Sequence, residues 1–281
     1  MRSRPGARAL VYGRSAAGHV RRDSIGPVTS DALAALVRAA PDAGIFSDFD
    51  GCLSPIVSDP DAARATRGAR AALEACAARF RVVAVISGRS VEDLRRRVRA
   101  RGVRLVGLHG MEELRDGRVI VAPEADAWRE AVERAASLLE RELPAVPGAI
   151  LERKGLALAV HFRRADDPGD TERLAKPIVD HAAEAAGLEV VPGRRILEVR
   201  PATGGNKGDA VRRIVGEASL MGAMVAGDDV GDIPAFHAID GLSVALRIAV
   251  ASAESPAELT EIADLTVGSP REFVELLKRL V

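Results

Sequence analysis

Two blocks of alternating strand and helix signals, split by a segment of different grammar, predict an α/β fold. It is a doubly wound, mostly parallel Rossmann-like core sheet with an inserted α+β cap domain. Continuous apolar runs such as "RVVAVIS" (81–87) lack polar alternation, as strands buried on both faces require. Segments with helical apolar spacing separate these runs. Between residues 113 and 199 the order becomes helix–strand–strand–helix–strand–strand, which suits an antiparallel sheet backed by two helices.

In chain order, "DALAALVRAA" (31–40) reads as a short helix and "AGIFSDFD" (43–50) as a strand. "RGARAALEACAARF" has helical spacing, "RVVAVIS" is a strand, "SVEDLRRRVRAR" is a helix capped by Ser90, and "VRLVGLHG" is a strand. The inserted segment opens with the amphipathic helix "ADAWREAVERAASLLEREL". Two strands follow in "AILERKGLALAVHFRRA", joined around Lys154 and Gly155. Next come the helix "TERLAKPIVDHAAEAAG" and the hairpin "LEVVPGRRILEV", expected to turn at Pro192–Gly193. The first grammar then resumes: helix "NKGDAVRRIVGEA", strand "AMVAG", helix "IPAFHAI", strands "LSVAL" and "DLTVG", and helix "PREFVELLKRL". The expected organisation is a flexible extension over 1–30, a core of 31–112 and 200–281, and a cap of 113–199.

Composition narrows the function. The 281 residues suffice for two domains, and the formal net charge is zero, so no global basic field attracts nucleic acid or anionic membrane. No apolar run reaches the roughly 18–20 residues of a membrane span. Cys52 and Cys76 are the only cysteines, which fits a reduced compartment, and a cytoplasmic protein is expected. The first thirty residues hold six arginines and one acid, Asp23, but no secretory apolar core.

Four local features stand where open parallel sheets bind ligands, at strand ends and helix starts: "DFDG" (48–51), "SGR" (87–89), "NKGD" (206–209) and "GDDVGD" (227–232). Asp48 and Asp50 share one side of a strand tip, and two such carboxylates repel unless a cation or a proton lies between them. Mg2+, a hard oxygen-seeking ion, is the natural partner, and Asp228 comes to the same edge from a second buried strand. Asp and Gly also form turns well, and it is the pairing of two clusters after two strands that favours the metal. Ser87 and Gly88 open a helix where a phosphate can be held. Lys207 is one of only four lysines among forty Lys and Arg residues, and a compact ammonium suits a small phosphate niche.

A metal, a strand-tip carboxylate, a hydroxyl and a lysine make a phosphoryl-transfer site. Asp48 is the candidate nucleophile and Asp50 the acid and base. Ser87, Gly88 and Lys207 are the phosphate binders, and Asp229 and Asp232 supporting acids.

In this order, "DFDG", "SGR", "NKG" and "GDDxxD" resemble the four motifs of the haloacid dehalogenase superfamily. The insertion between the second and third implies its type-2 cap. "DFDGCLSPIVSDPDAA", "VISGRS", "GLHGMEE", "ERKGLALAVHFR" and "RRILEVRP" are further similar to trehalose-6-phosphate phosphatases. The resemblance implies Mg2+ held by Asp48, the Asp50 backbone carbonyl and Asp228. In the cap it implies sugar recognition by Glu152, Lys154, Arg163 and Glu198, with Arg89 and His161 as further substrate contacts. His109 ranks below His161 as a residue of the sugar site, since a lone histidine is more often structural than a ligand. Cys52, Asn206 and Gly231 depart from the usual threonine, aspartate and threonine of that family.

The expected partner is therefore a small-molecule sugar phosphate, on a monomer or weak homo-oligomer, with no nucleic acid and no membrane. A phosphatase of another sugar phosphate keeps the same chemistry. A DxD-type glycosyltransferase needs a nucleotide-binding region, and only 47 residues precede Asp48. An inactive sugar-phosphate sensor would not need Asp48, Asp50, Lys207 and Asp228 intact.

Overall fold

The computed structural model describes residues 27–57, 59–122, 126–193, 195–202, 205–252 and 255–281. The expected extension over 1–30 lies almost wholly outside them. The first helix, α1 (Pro27–Arg38), nevertheless begins before residue 31.

The first half of the core builds β1 (Ala43–Ser47), α2 (Ala69–Arg79), β2 (Val82–Ile86), α3 (Val91–Val98) and β3 (Arg104–Gly107). Ser90 caps α3 as expected, its Oγ accepting from the Asp93 N–H at 3.3 Å. A hairpin of β4 (Glu112–Arg115) and β5 (Arg118–Val121) then extends the same sheet antiparallel. Sequence reading assigned no strand there, although the Asp116-Gly117 turn, with both residues at positive φ, carries a hairpin signal.

The inserted layer follows: α4 (Arg129–Glu142), β6 (Ile150–Arg153), β7 (Leu158–His161), α5 (Pro168–Ala186), β8 (Glu189–Gly193) and β9 (Ile196–Arg200). The last hairpin turns later than expected. Pro192 pairs with Leu197 and Gly193 with Ile196, because the strand pairing continues through the Pro-Gly step. The chain closes with α6 (Lys207–Ala218), β10 (Gly222–Gly227), α7 (Ile233–His237), β11 (Val244–Val250), α8 (Ala257–Ile262), β12 (Leu265–Val267) and α9 (Pro270–Lys278).

The large sheet has the order β12-β11-β10-β1-β2-β3-β4-β5 and is parallel from β12 to β3. Its two faces explain the unbroken apolar runs. Ile45, Val83, Val85 and Met224 point into a core shared with α1, α2, α3 and α9. Their neighbours Phe46, Ala84, Ile86 and Val225 point into a second core under α6, α7 and α8. The second sheet, β6-β7-β9-β8, is antiparallel and buries Leu158, Val160, Leu197 and Val199 against α4 and α5. A small cluster of Leu108, Met111, Leu156 and Ala157 seats the β6–β7 turn on the loop after β3. Among the described residues, no helix is long and apolar enough to cross a membrane.

Asn206 decides how α6 starts. Its Oδ1 accepts the N–H groups of Gly208 (2.8 Å) and Asp209 (3.1 Å), and Asp209 answers by accepting the Asn206 N–H at 2.9 Å. Asparagine therefore performs the cap that the aspartate usual in the resembled motif can also perform. Asn206→Ala is expected to lower stability by about 1 kcal/mol in chemical denaturation, and Asn206→Asp to leave it nearly unchanged.

Candidate active site

The parallel register places the expected residues at one edge. Ser47 lies opposite both Ala226 and Val85, and the Asp48 N–H donates to the Ala226 carbonyl at 3.1 Å. The tips of β1, β2 and β10 therefore present Asp48, Ser87 and Asp228 at nearly one level. All three are buried, as are Lys207 and Asp232.

Lys207 joins the separated motifs. Its Nζ lies 2.7 Å from Asp48 Oδ2 and 2.7 Å from Asp232 Oδ1. Asp232 Oδ2 accepts the N–H groups of Asp228 (2.9 Å) and Asp229 (3.2 Å), which fixes the loop after β10. Asp48, Asp228 and Asp232 each offer an oxygen within 4.8 Å of the others.

One ammonium does not balance these carboxylates. Burial, the largest influence, pushes Asp48 up to about 7; Lys207 opposes it, while Asp232 and Asp50 add to the rise. Burial also works against the Lys207 ammonium, but Asp232 and Asp48 raise it well above the ordinary lysine range. The site is thus short of positive charge, which a divalent cation would supply. Gly51 makes room for the arrangement. At φ +80°, a Cβ on it would lie 2.1 Å from the Asp228 carboxylate.

The clustered carboxylates include both acids expected to ligate a metal through their side chains, Asp48 and Asp228, with the supporting acid Asp232 as the third. Asp50 contributes no side-chain oxygen to the cluster, because Arg89 grips it from the other side. Arg89 Nε donates to Asp50 Oδ2 at 2.6 Å and Nη2 donates to Oδ1 at 2.9 Å. Asp229 turns away to cap the 3-10 turn Val230–Asp232, its Oδ1 accepting the Val230 N–H at 2.7 Å.

Ser87 is buried at the end of β2, and its Oγ accepts the Arg89 N–H at 3.3 Å. Over Gly88 lies His109, whose Nε2 would be 2.7 Å from any Cβ there. That imidazole meets Glu198 Oε2 at 2.8 Å, so a residue ranked low for the sugar site forms a polar bridge between the core and the inserted layer. The other oxygen of Glu198 accepts from Lys154 Nζ at 2.8 Å, and Glu152 Oε2 lies 2.7 Å from His161 Nε2.

Strand register explains this polar row. Glu152 pairs with Ala159 and Ala159 with Glu198, so both acids share the sheet face opposite the apolar core. Burial disfavours ionised Glu198, yet Lys154 and His109 hold it well below the carboxylate range. Lys154 is likewise kept charged against its burial by Glu198 and Glu152. Arg163 is half-buried in the turn after β7.

Two departures from the resembled motif have a visible consequence. Cys52 is fully buried, and burial, with Asp228, Asp232 and Asp48 nearby, pushes its thiol well above the cysteine range, so it stays neutral. At Gly231, an added Cβ meets nothing within 4 Å, so the absent threonine leaves no gap in the packing.

Sequence reasoning missed Asp93. Its carboxylate accepts from Arg89 Nη1 (2.7 Å), Arg97 Nε (2.6 Å) and Arg96 Nη2 (3.1 Å). The signal was the acid four residues after Arg89 on a helix.

A large parallel sheet with its polar site at the carboxyl edge and a four-stranded layer inserted between its halves defines a haloacid dehalogenase-like fold. The trehalose-phosphatase family model matches residues 46–265, and the chain belongs to that family. A trehalose-phosphate phosphatase of Mycobacterium marinum is 36% identical over 252 residues, covering 82% of this chain and 64% of the relative. One of Mycobacterium leprae is 34% identical over 84% of this chain and 57% of its own length. The chain thus spans less than two thirds of these relatives. Among solved structures, a trehalose-6-phosphate phosphatase related protein superposes with TM-score 0.72 at 27% identity, over 84% of this chain and 96% of that one. The C-terminal domain of the Candida albicans trehalose-6-phosphate phosphatase gives TM-score 0.74 at 24% identity, over 88% and 94%, which speaks for the fold.

Burial raises the Asp93 carboxyl, but Arg97 and then Arg89 hold it down, from 3.8 to about 2. Because the folded value is the lower one, Asp93 stabilises the fold by about 2 kcal/mol above its unfolded pKa and loses this as pH falls through the folded pKa. In denaturation measurements, the stability gap between the native chain and Asp93→Asn is expected to narrow as pH drops from about 5 to about 2.5.

Proposed function

We propose that this chain hydrolyses trehalose 6-phosphate to trehalose and inorganic phosphate, with Mg2+, through an aspartyl phosphate on Asp48. The observation that carries the reading is Lys207 Nζ standing 2.7 Å from both Asp48 and Asp232, three residues from three separate motifs at one sheet edge. The family and the sugar-facing row of Glu152, Lys154, His161 and Glu198 support the substrate.

The donor set suits Mg2+. Asp48 and Asp228 would hold it together with the Asp50 backbone carbonyl. Asp232 orients these groups, since both its oxygens already accept from Lys207 and from the Asp228 and Asp229 N–H groups. When bound, the ion supplies positive charge to the phosphoryl oxygens and favours the ionised form of Asp48.

The chain's own groups perform the rest. An Asp48 oxygen forms a bond to phosphorus as the bond to the sugar oxygen breaks, and Asp50 gives that oxygen its proton. In the second half, Asp50 takes a proton from water, the water oxygen bonds to phosphorus, and the Asp48 carboxylate leaves. Ser87, the Gly88 backbone and Lys207 steady the charge on the moving phosphoryl group. The inserted layer from α4 to β9 acts as the cap, since the expected start at residue 113 falls in the β4–β5 hairpin of the core sheet. Glu152, Lys154, Arg163, His161 and Glu198 turn to sugar hydroxyls, and closure excludes water. Two free cysteines and a phosphorylated metabolite as substrate fit work in the cytoplasm.

Phosphate release from a panel of sugar phosphates, with Mg2+ and with a chelator, tests this. The highest kcat/KM is expected for trehalose 6-phosphate, with release lost on chelation and abolished in a folded Asp48→Asn variant. Equal kcat/KM across the panel would overturn the substrate, and an active Asp48→Asn enzyme the nucleophile.

A further inference from the structure

Asp50 sits on a strand-tip turn beside Gly51, and its side chain is about one third exposed, at 32%. Nothing in that local sequence holds its carboxylate in one direction, yet proton transfer to a leaving oxygen demands hydrogen-bond placement. The placement comes from Arg89, whose Nε and Nη2 take one carboxylate oxygen each. Arg89 also stacks over the Phe49 ring, 5.5 Å from its centroid, and Nη2 donates to the Pro60 carbonyl at 3.1 Å. Its third nitrogen, Nη1, donates to Asp93. All three nitrogens therefore have protein acceptors, which makes Arg89 a holder of Asp50.

Asp93 is what aims Arg89. Arg97 binds the same Oδ2 of Asp93 and is itself tied to the Ala63 carbonyl at 2.6 Å. The run Ala63–Arg97–Asp93–Arg89–Asp50 thus links the loop before α2 to the proton-handling carboxylate. Arg89, Arg97 and Asp93 are nearly buried, with side-chain exposures of 11%, 8% and 15%. Burial of this kind strengthens each bond and makes its loss costly.

Resting on the phosphatase reading above, we propose that Asp93 is a positioning residue for leaving-group protonation. Through Arg89 it keeps the Asp50 carboxyl directed at the departing sugar oxygen. When Asp50 carries the proton, one bond from Arg89 is given up and the other retains the alignment. The proton then passes to the sugar oxygen as its bond to phosphorus breaks, and Asp50 returns to the two-bonded carboxylate.

Leaving-group dependence separates this role from general support of the fold. A sugar alkoxide needs a proton to depart, whereas p-nitrophenolate leaves without one. The experiment compares kcat/KM of the native enzyme and Asp93→Asn on trehalose 6-phosphate and on p-nitrophenyl phosphate, both with Mg2+. The expected loss is about 10- to 100-fold on the sugar phosphate, within the range general acid catalysis supplies, and no more than about 3-fold on the aryl ester. KM for the sugar phosphate should stay near the native value. Equal losses on both substrates, or no loss on either, would overturn the proposal. Because Asp93→Asn removes a buried charge, Arg89→Lys is run beside it. That variant keeps the cation, loses the two-pronged grip, and is expected to show the same split between substrates. A native enzyme that releases no phosphate from trehalose 6-phosphate fails the phosphatase reading itself, an outcome distinct from a native enzyme that is active with no split in its variants.

Discussion

Lys207 is a buried ammonium held 2.7 Å from two carboxylates that arrive from opposite ends of the chain. An unpaired charge at that depth would be neutralised or expelled, so neither the lysine nor the acids are tolerable alone. Their mutual need ties the tip of β1 to the start of α6 and to the loop after β10. It also leaves the site deliberately unbalanced. One monovalent cation faces Asp48, Asp228 and Asp232, and Asp48 remains harder to ionise than an ordinary carboxyl. A site of this composition is ready for added positive charge, which a divalent ion would bring.

Around that centre, two further polar systems are built on separate elements. Asp50 is steered by Arg89 and Asp93 from α3 and the loop before it. Glu198, Lys154, Glu152 and His161 lie on the face of the inserted sheet opposite its apolar core, and Glu198 meets His109 of the core. On the proposed reading, the phosphate chemistry and the sugar recognition occupy different layers that touch where His109 meets Glu198. In that arrangement substrate recognition can vary with the inserted sheet while the strand-tip acids stay unchanged.

Much of this was legible in the sequence because the physics is local. Strands buried on both faces read as unbroken apolar runs, and "RVVAVIS" and "AMVAG" became β2 and β10. The acids of "DFDG" and "GDDVGD" were readable as one site since both follow such strands. Other features depend on register or on distant partners. The β4–β5 hairpin is short and charged, so its pattern was weak, and only the Asp116-Gly117 turn marked it. The turn after β8 falls past Pro192–Gly193 because pairing with β9 outweighs the local turn preference of those residues. The hold on Asp50 was invisible in one dimension: the guanidinium of Arg89 reaches it from 39 positions away. His109 was passed over because nothing in "GLHG" discloses that Glu198 arrives from the other layer.

The central claim is that Asp48 carries the phosphoryl group covalently. Borohydride quenching of the enzyme during turnover, followed by peptide mass spectrometry, reads this directly, since the hydride reduces an acyl phosphate to an alcohol. Reduction confined to Asp48, and absent without substrate, is the predicted result. A peptide containing unmodified Asp48 under conditions of rapid phosphate release, or reduction at another acid, would contradict it.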